Sequence, residues 1–149
     1  MKTVEYLEPI EEQLKNKGSY ASITKGGSMQ PLFKTRRDMV VIEPLSREPK
    51  KYDVVLYRGA GAEYILHRII KVCPEFFVIR GDNTYVKEFV PKENVIGVLT
   101  TFNRKGKRGT TGDFSYILYS RVWNFIYPIR SLYVKLRRLA SKIYHKLFK

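Results

Sequence analysis

One cysteine, Cys73, is all the chain has, which excludes an internal disulfide and any zinc cluster built on thiolates. Its two histidines, His67 and His145, are too few for a histidine-rich metal site. No cluster implies a metal or a cofactor, and no repeat or low-complexity tract is present. Long apolar runs are missing too. The nearest, residues 114–134, is interrupted by Arg121, Asn124, Pro128 and Arg130, and a spanning helix needs about 20 apolar residues. Glu5, Glu8, Glu11 and Glu12 follow Met1-Lys2, so the N-terminus lacks the unbroken apolar stretch of a secretory signal. Acid is scarce at one end only. Residues 101–149 hold 12 Lys and Arg against Asp113, a net of +11, while residues 1–100 hold 16 against 13, a net of +3. A basic end of that kind seeks an anionic surface.

What is present suits one domain with an appendage: 149 residues, 44% hydrophobic and 13% aromatic, enough for a real core. Residues 3–17 predict a short helix, with Val4, Leu7, Ile10 and Leu14 on one stripe and Gly18 as its stop. Six runs rich in Val, Ile and aromatics follow, at 20–24, 39–43, 53–57, 64–72, 76–80 and 95–102. No long helix separates them. The expected class is therefore mainly β, an antiparallel sheet system or partly open barrel. Residues 103–113 read as a polar, glycine-rich linker, which divides the chain into 1–102, 103–113 and a tail over 114–149. In the tail, Ile129, Leu132, Tyr133, Leu136, Leu139, Ala140, Ile143, Tyr144 and Leu147 recur at helical spacing, with basic residues mostly on the other side and Pro128 breaking the helix from the aromatic segment before it.

The segment Lys25-Gly26-Gly27-Ser28-Met29-Gln30-Pro31-Leu32 carries the candidate chemistry. Glycines permit a tight turn and let a substrate backbone come close. A serine becomes a nucleophile only beside a base that is itself held in place. The β-region has one histidine, His67, and downstream stands Arg80-Gly81-Asp82-Asn83, a turn with an acid able to hold an imidazole. Each piece has a plainer reading: Ser28 and Asp82 as turn residues, His67 as a core histidine, Met29 as core packing and Cys73 as an inert thiol.

Together the pieces resemble the type I signal peptidase family, within the superfamily that includes LexA-like self-cleaving repressors. Gly27-Ser28-Met29-Gln30-Pro31 resembles the nucleophile box. Tyr52-Asp53-Val54-Val55-Leu56-Tyr57 resembles a Gly-Asp-Val-Val-x-Phe strand, with Tyr52 in place of glycine. Gly81-Asp82-Asn83 and Val95-Ile96-Gly97 match in order and rough spacing. The likeness covers about residues 20–102. Histidine before Arg68 resembles the serine–histidine branch rather than the lysine branch; Lys71, four residues on, reads as a solvated strand residue.

The resemblance implies a coiled, partly open β-barrel and acyl transfer, with Ser28 as nucleophile and His67 as general base. Asp82 is the first expectation for the acid that orients His67, and Glu88 the second. Gly26 stands where the family often has a serine, so the oxyanion would rest on the Ser28 backbone N–H. Gly27 and Met29 would line the substrate. Signal peptidases carry an N-terminal membrane anchor, and none is expected from this sequence. The expectation is a cytoplasmic enzyme, peripheral at the inner membrane face, processing leaders or propeptides of peptide or precursor-protein substrates.

Residues 114–149 are expected to lie on an anionic membrane, with Trp123, Phe125 and Tyr127 entering the headgroup boundary. Nucleic acid ranks behind lipid, because no helix-turn-helix or RNA-binding signature accompanies the tail. A non-catalytic peptide- or membrane-binding module on the same scaffold is the alternative function. A LexA-like self-cleaving regulator ranks third, since no DNA-binding domain or suitably placed lysine base is present.

Overall fold

The alternation of branched and aromatic residues is realised as eight strands, all paired antiparallel. The computed structural model describes residues 9–148. The elements are α1 (Ile10–Lys17), β1 (Tyr20–Ile23), β2 (Met39–Glu43), β3 (Val54–Arg58), β4 (Tyr64–Val72), β5 (Phe76–Arg80), β6 (Glu88–Pro91), β7 (Val95–Arg104), β8 (Lys107–Thr110), α2 (Phe114–Phe125) and α3 (Tyr127–Leu147). The strands lie in the order β1-β2-β7-β3-β4-β5-β6, with β8 added beside β7, in one curled half-barrel sheet. The chain divides into two compact units, one ending at Asp113 and the other starting at Phe114.

The N-terminal helix is shorter in view than its expected span of 3–17, because residues 1–8, with Val4 and Leu7, lie outside the described residues. Leu14 is buried, and Gly18 ends the helix at φ 71° with its N–H donating to Leu14 O. A left-handed residue after the last turn satisfies carbonyls that the helix leaves open.

The sheet is covered on both faces along β3, where Val54, Val55, Leu56 and Tyr57 are all buried. One face holds the cluster of Val55, Tyr57, Ile69, Phe77, Ile79, Val90 and Val95. On β4, His67 and Arg68 are neighbours and so point to opposite faces. A bulge interrupts the β4–β5 register between Ile69 and Lys71, beyond that pair.

Two strands were not expected. β6 is a four-residue edge strand, and β8 occupies part of the presumed linker. Residues 103–113 are therefore no linker. They complete β7, turn at Lys105-Gly106 and return along β7, where Arg104 faces Lys107. Both turn residues have positive φ, 52° and 77°, the conformation that joins two strands through a two-residue hairpin. The unit boundary falls at 113/114, where the tail was expected to begin. Pro128 occupies the first turn of α3, where a missing N–H breaks no helical bond.

Arg68 and Asp82 are the buried ion pair of this sheet. Arg68 Nε and Nη2 donate to the two carboxylate oxygens at 2.8 Å each, and Nη1 donates to Tyr52 O at 2.9 Å. Tyr52, just before β3, has φ 78°. The left-handed region strains any residue with a Cβ.

Removing one member of a buried pair strands the other charge. Asp82→Ala should lower unfolding free energy by about 3–5 kcal/mol in urea titration, while Arg47→Ala, breaking the exposed Arg47–Asp53 pair, should change it by less than about 1 kcal/mol. Tyr52→Gly should be more stable than Tyr52→Ala by about 1 kcal/mol in the same assay, since only glycine is unstrained at that φ.

Candidate active site

Ser28 sits in the loop between β1 and β2, and the loop is closed on itself. Thr24 N–H donates to Asp38 O and Arg36 N–H to Thr24 O, each at 2.9 Å. The Thr35 hydroxyl donates to Gly26 O, and Gly26 takes φ 73°. Asp38, fully buried, knots the loop's far end. Its carboxylate accepts from Arg37 Nε and Nη2, from Lys34 N–H and from Lys105 N–H. The Arg37 guanidinium holds that carboxyl well below the usual carboxylate range, helped by the two backbone N–H groups and opposed by burial. Met29, Leu32 and Phe33 are buried, with Phe33 edge-on to Phe102 at 5.3 Å. Apolar anchors on its C-terminal side leave Ser28 itself half-buried at the turn.

The Gly81-Asp82-Asn83 turn holds this loop from across the sheet. Asn83 N–H donates to Ser28 O at 2.8 Å, and Asn83 Nδ2 donates to Gly27 O at 3.2 Å. Gly81, buried, leaves no space for a methyl group. A Cβ there would lie 2.7 Å from Ser28 O and 3.0 Å from His67 Nε2. Those two distances bound the separation of Ser28 O and His67 Nε2 at 5.7 Å. The candidate nucleophile's backbone and the candidate base thus flank one glycine.

The other ring nitrogen of His67 faces a carboxylate. Nδ1 lies 2.7 Å from Glu88 Oε2 and 3.2 Å from the Tyr57 hydroxyl, which donates to the same Glu88 oxygen at 2.8 Å. Burial, and then the Glu88 carboxylate, push the Tyr57 phenol well above its ordinary value. It therefore keeps its proton and donates. A carboxylate only accepts, so Nδ1 carries the hydrogen, and Nε2 is the nitrogen left to exchange a proton. The sheet explains the grouping. Tyr57 pairs with Ile65 and is the diagonal neighbour of His67, while Glu88 pairs with Ile79 two strands away.

Asp82, the first expectation for the acid on His67, gives both carboxylate oxygens to Arg68. Glu88, the second expectation, is the acid on Nδ1. The reason is register: Glu88 pairs with Ile79 and Ile79 with Ile69, two residues from His67, so Glu88 lies on the His67 face, while Arg68 on the other face takes Asp82. Tyr57 had no assigned role in the sequence reading, although it ends the Tyr52–Tyr57 box. Lys71 is exposed, beyond the bulge. Ser28 Oγ makes no hydrogen bond to His67, and Ser28 N–H makes none among the described residues.

A groove of about 400 Å³ runs past Ser28. From β1 and the start of β4, Ser22, Ile23, Tyr64, Ile65 and Leu66 line it, with Met29 and Leu56 among its apolar residues; His67 and Gly27 are not in the lining. Both segments are strand edges. β1 pairs only with β2, and β5 covers β4 only from Arg68 onward. Unpaired edges of this kind accept an extended peptide as an added strand. Among the described residues, no group of His, Cys, Asp and Glu is arranged to hold a metal ion.

No protein-family model matches the chain, and no curated protein matches its sequence.

The close approach at Gly81 is directly testable. Gly81→Ala should lower stability by about 1–3 kcal/mol in urea titration, because backbone atoms of Ser28 must move. Gly27→Ala, whose methyl would meet nothing nearer than 3.5 Å, should change it by less than about 1 kcal/mol.

Proposed function

We propose that this chain is a serine endopeptidase of the signal-peptidase type, cleaving leader- or signal-type segments from peptide or precursor-protein substrates. The observation that carries the reading is the 2.7 Å contact of Glu88 with His67 Nδ1, which leaves Nε2 as the free base beside Gly81. Substrate lies extended in the groove between β1 and the start of β4. The apolar lining and limited volume favour small or apolar side chains next to the cut.

As Ser28 Oγ attacks the scissile carbonyl, His67 Nε2 takes its proton. In ligand-free enzymes such bonds are often long and tighten in the substrate complex. Ser28 N–H, without a partner among the described residues, is available to the oxyanion. Glu88 stabilises the imidazolium, which returns the proton to the leaving amine. Water then hydrolyses the acyl ester, with His67 as base again. Tyr57 fixes the Glu88 oxygen by donating to it. A peptide-binding module without chemistry is the second reading, favoured by the missing Ser28–His67 hydrogen bond.

Incubation of the full chain with a library of leader-type peptides, followed by mass spectrometry, tests the proposal. Wild type should cut; Ser28→Ala and His67→Ala should not, with folding intact by circular dichroism. Glu88→Gln should lower kcat about a thousandfold or more through loss of the correct tautomer. Cleavage that survives Ser28→Ala would refute the enzyme, and peptide binding without any cleavage would favour the module.

A further inference from the structure

We infer that α3 docks along its apolar stripe onto an anionic lipid surface. Ile129, Leu132, Leu136, Leu139, Ile143 and Leu147 follow one another at three- and four-residue steps, and each is at least 50% exposed. At roughly 100° per residue they occupy an arc about 80° wide, which Tyr133 and Tyr144 broaden on one side. The helix has 21 residues, so the stripe runs for about 30 Å. No residue of α3 is buried, and the apolar face is therefore open along its whole length.

The charges select the occupant. Lys135, Lys142 and Lys146 run along one border of the stripe, and Arg130 and Arg137 along the other. Residues 114–149 contain 8 Lys and Arg and no Asp or Glu. A helix lying in the interface plane buries its apolar face at the acyl boundary while lysines on its borders reach the phosphates. A second copy would fit poorly, because the borders of paired helices carry charges that meet, and here every such charge is positive. Nucleic acid would use aromatic faces for stacking, yet Trp123 is stacked on Tyr119 at 5.9 Å and covered by Arg130 at 3.6 Å. No helix among the described residues is long and apolar enough to cross a membrane, so the helix lies on the surface.

The structure also moves the docking face away from the aromatic segment. Trp123 and Tyr127 are half-buried, and of the three aromatics expected at the headgroups only Phe125, 84% exposed, is open. The leucine stripe of α3 takes their place. None of the groups around Ser28 and His67 enters this inference, so it stands or falls apart from the peptidase reading.

Flotation of the full chain with phosphatidylcholine vesicles, with and without phosphatidylglycerol, tests it. The chain should float with the anionic vesicles, less as salt rises, and not with the neutral ones. Each lysine near an anionic surface is worth about fivefold in binding, so the triple variant Lys135→Gln, Lys142→Gln, Lys146→Gln should bind about a hundredfold more weakly. The double variant Leu136→Asp, Ile143→Asp should lose flotation, with the β-sheet signal unchanged by circular dichroism. Ser28→Ala should float like wild type. Absence of flotation with anionic vesicles, or equal flotation with neutral ones, would overturn the inference. A dimer abolished by Leu136→Asp, or an oligonucleotide complex abolished by the lysine variant, each without vesicle binding, would reassign the stripe and overturn it too.

Discussion

The bidentate ion pair between Arg68 and Asp82 is the constraint on which the site depends. It lies in the sheet's interior, and it fixes the turn that holds Ser28. Asp82 is one residue from Gly81, which admits both the Ser28 carbonyl and the His67 ring, and one residue from Asn83, which grips Gly27 and Ser28. A buried pair of this kind contributes little net stability compared with apolar packing, because desolvation offsets the attraction. Its value here is positional. Two consecutive residues of β4 serve two faces: His67 faces Tyr57 and Glu88, and Arg68 secures the turn.

Much of the sheet was legible because its strands are dense in branched and aromatic residues. The six expected runs correspond to β1, β2, β3, β4, β5 and β7, with ends shifted by two residues at most. β6 and β8 were hidden for different reasons. Glu88-Phe89-Val90-Pro91 is short, begins with a charge and ends in proline, so it has the composition of a loop and becomes a strand only by pairing with β5. Lys107–Thr110 is polar throughout, and only Lys105-Gly106 hints that the chain turns back on itself.

The candidate site was legible in its parts but not in its wiring. The serine box, the lone histidine and the two acids are all visible in the chain. The choice between Asp82 and Glu88 is not, because it depends on register across β4, β5 and β6. Asp82 stands in the expected box, yet the guanidinium takes both of its carboxylate oxygens. Glu88 reaches the imidazole from an edge strand that had not been anticipated. Tyr57 was overlooked because a tyrosine ending a hydrophobic strand is ordinary in composition; only its hydroxyl on the Glu88 carboxylate sets it apart.

The bulge in β4 has a bearing on how this scaffold tolerates change. One extra residue at Ile70 separates the half of the strand that carries His67 and Arg68 from the half that leads into the turn at Cys73–Glu75. Pairing on the far side is already out of step with the near side. Insertions or deletions in that distal hairpin can be taken up there as a further offset, without swapping imidazole and guanidinium between the two faces. The half of the strand that bears the imidazole and the guanidinium thus keeps its own register, set apart from the hairpin's by a single residue.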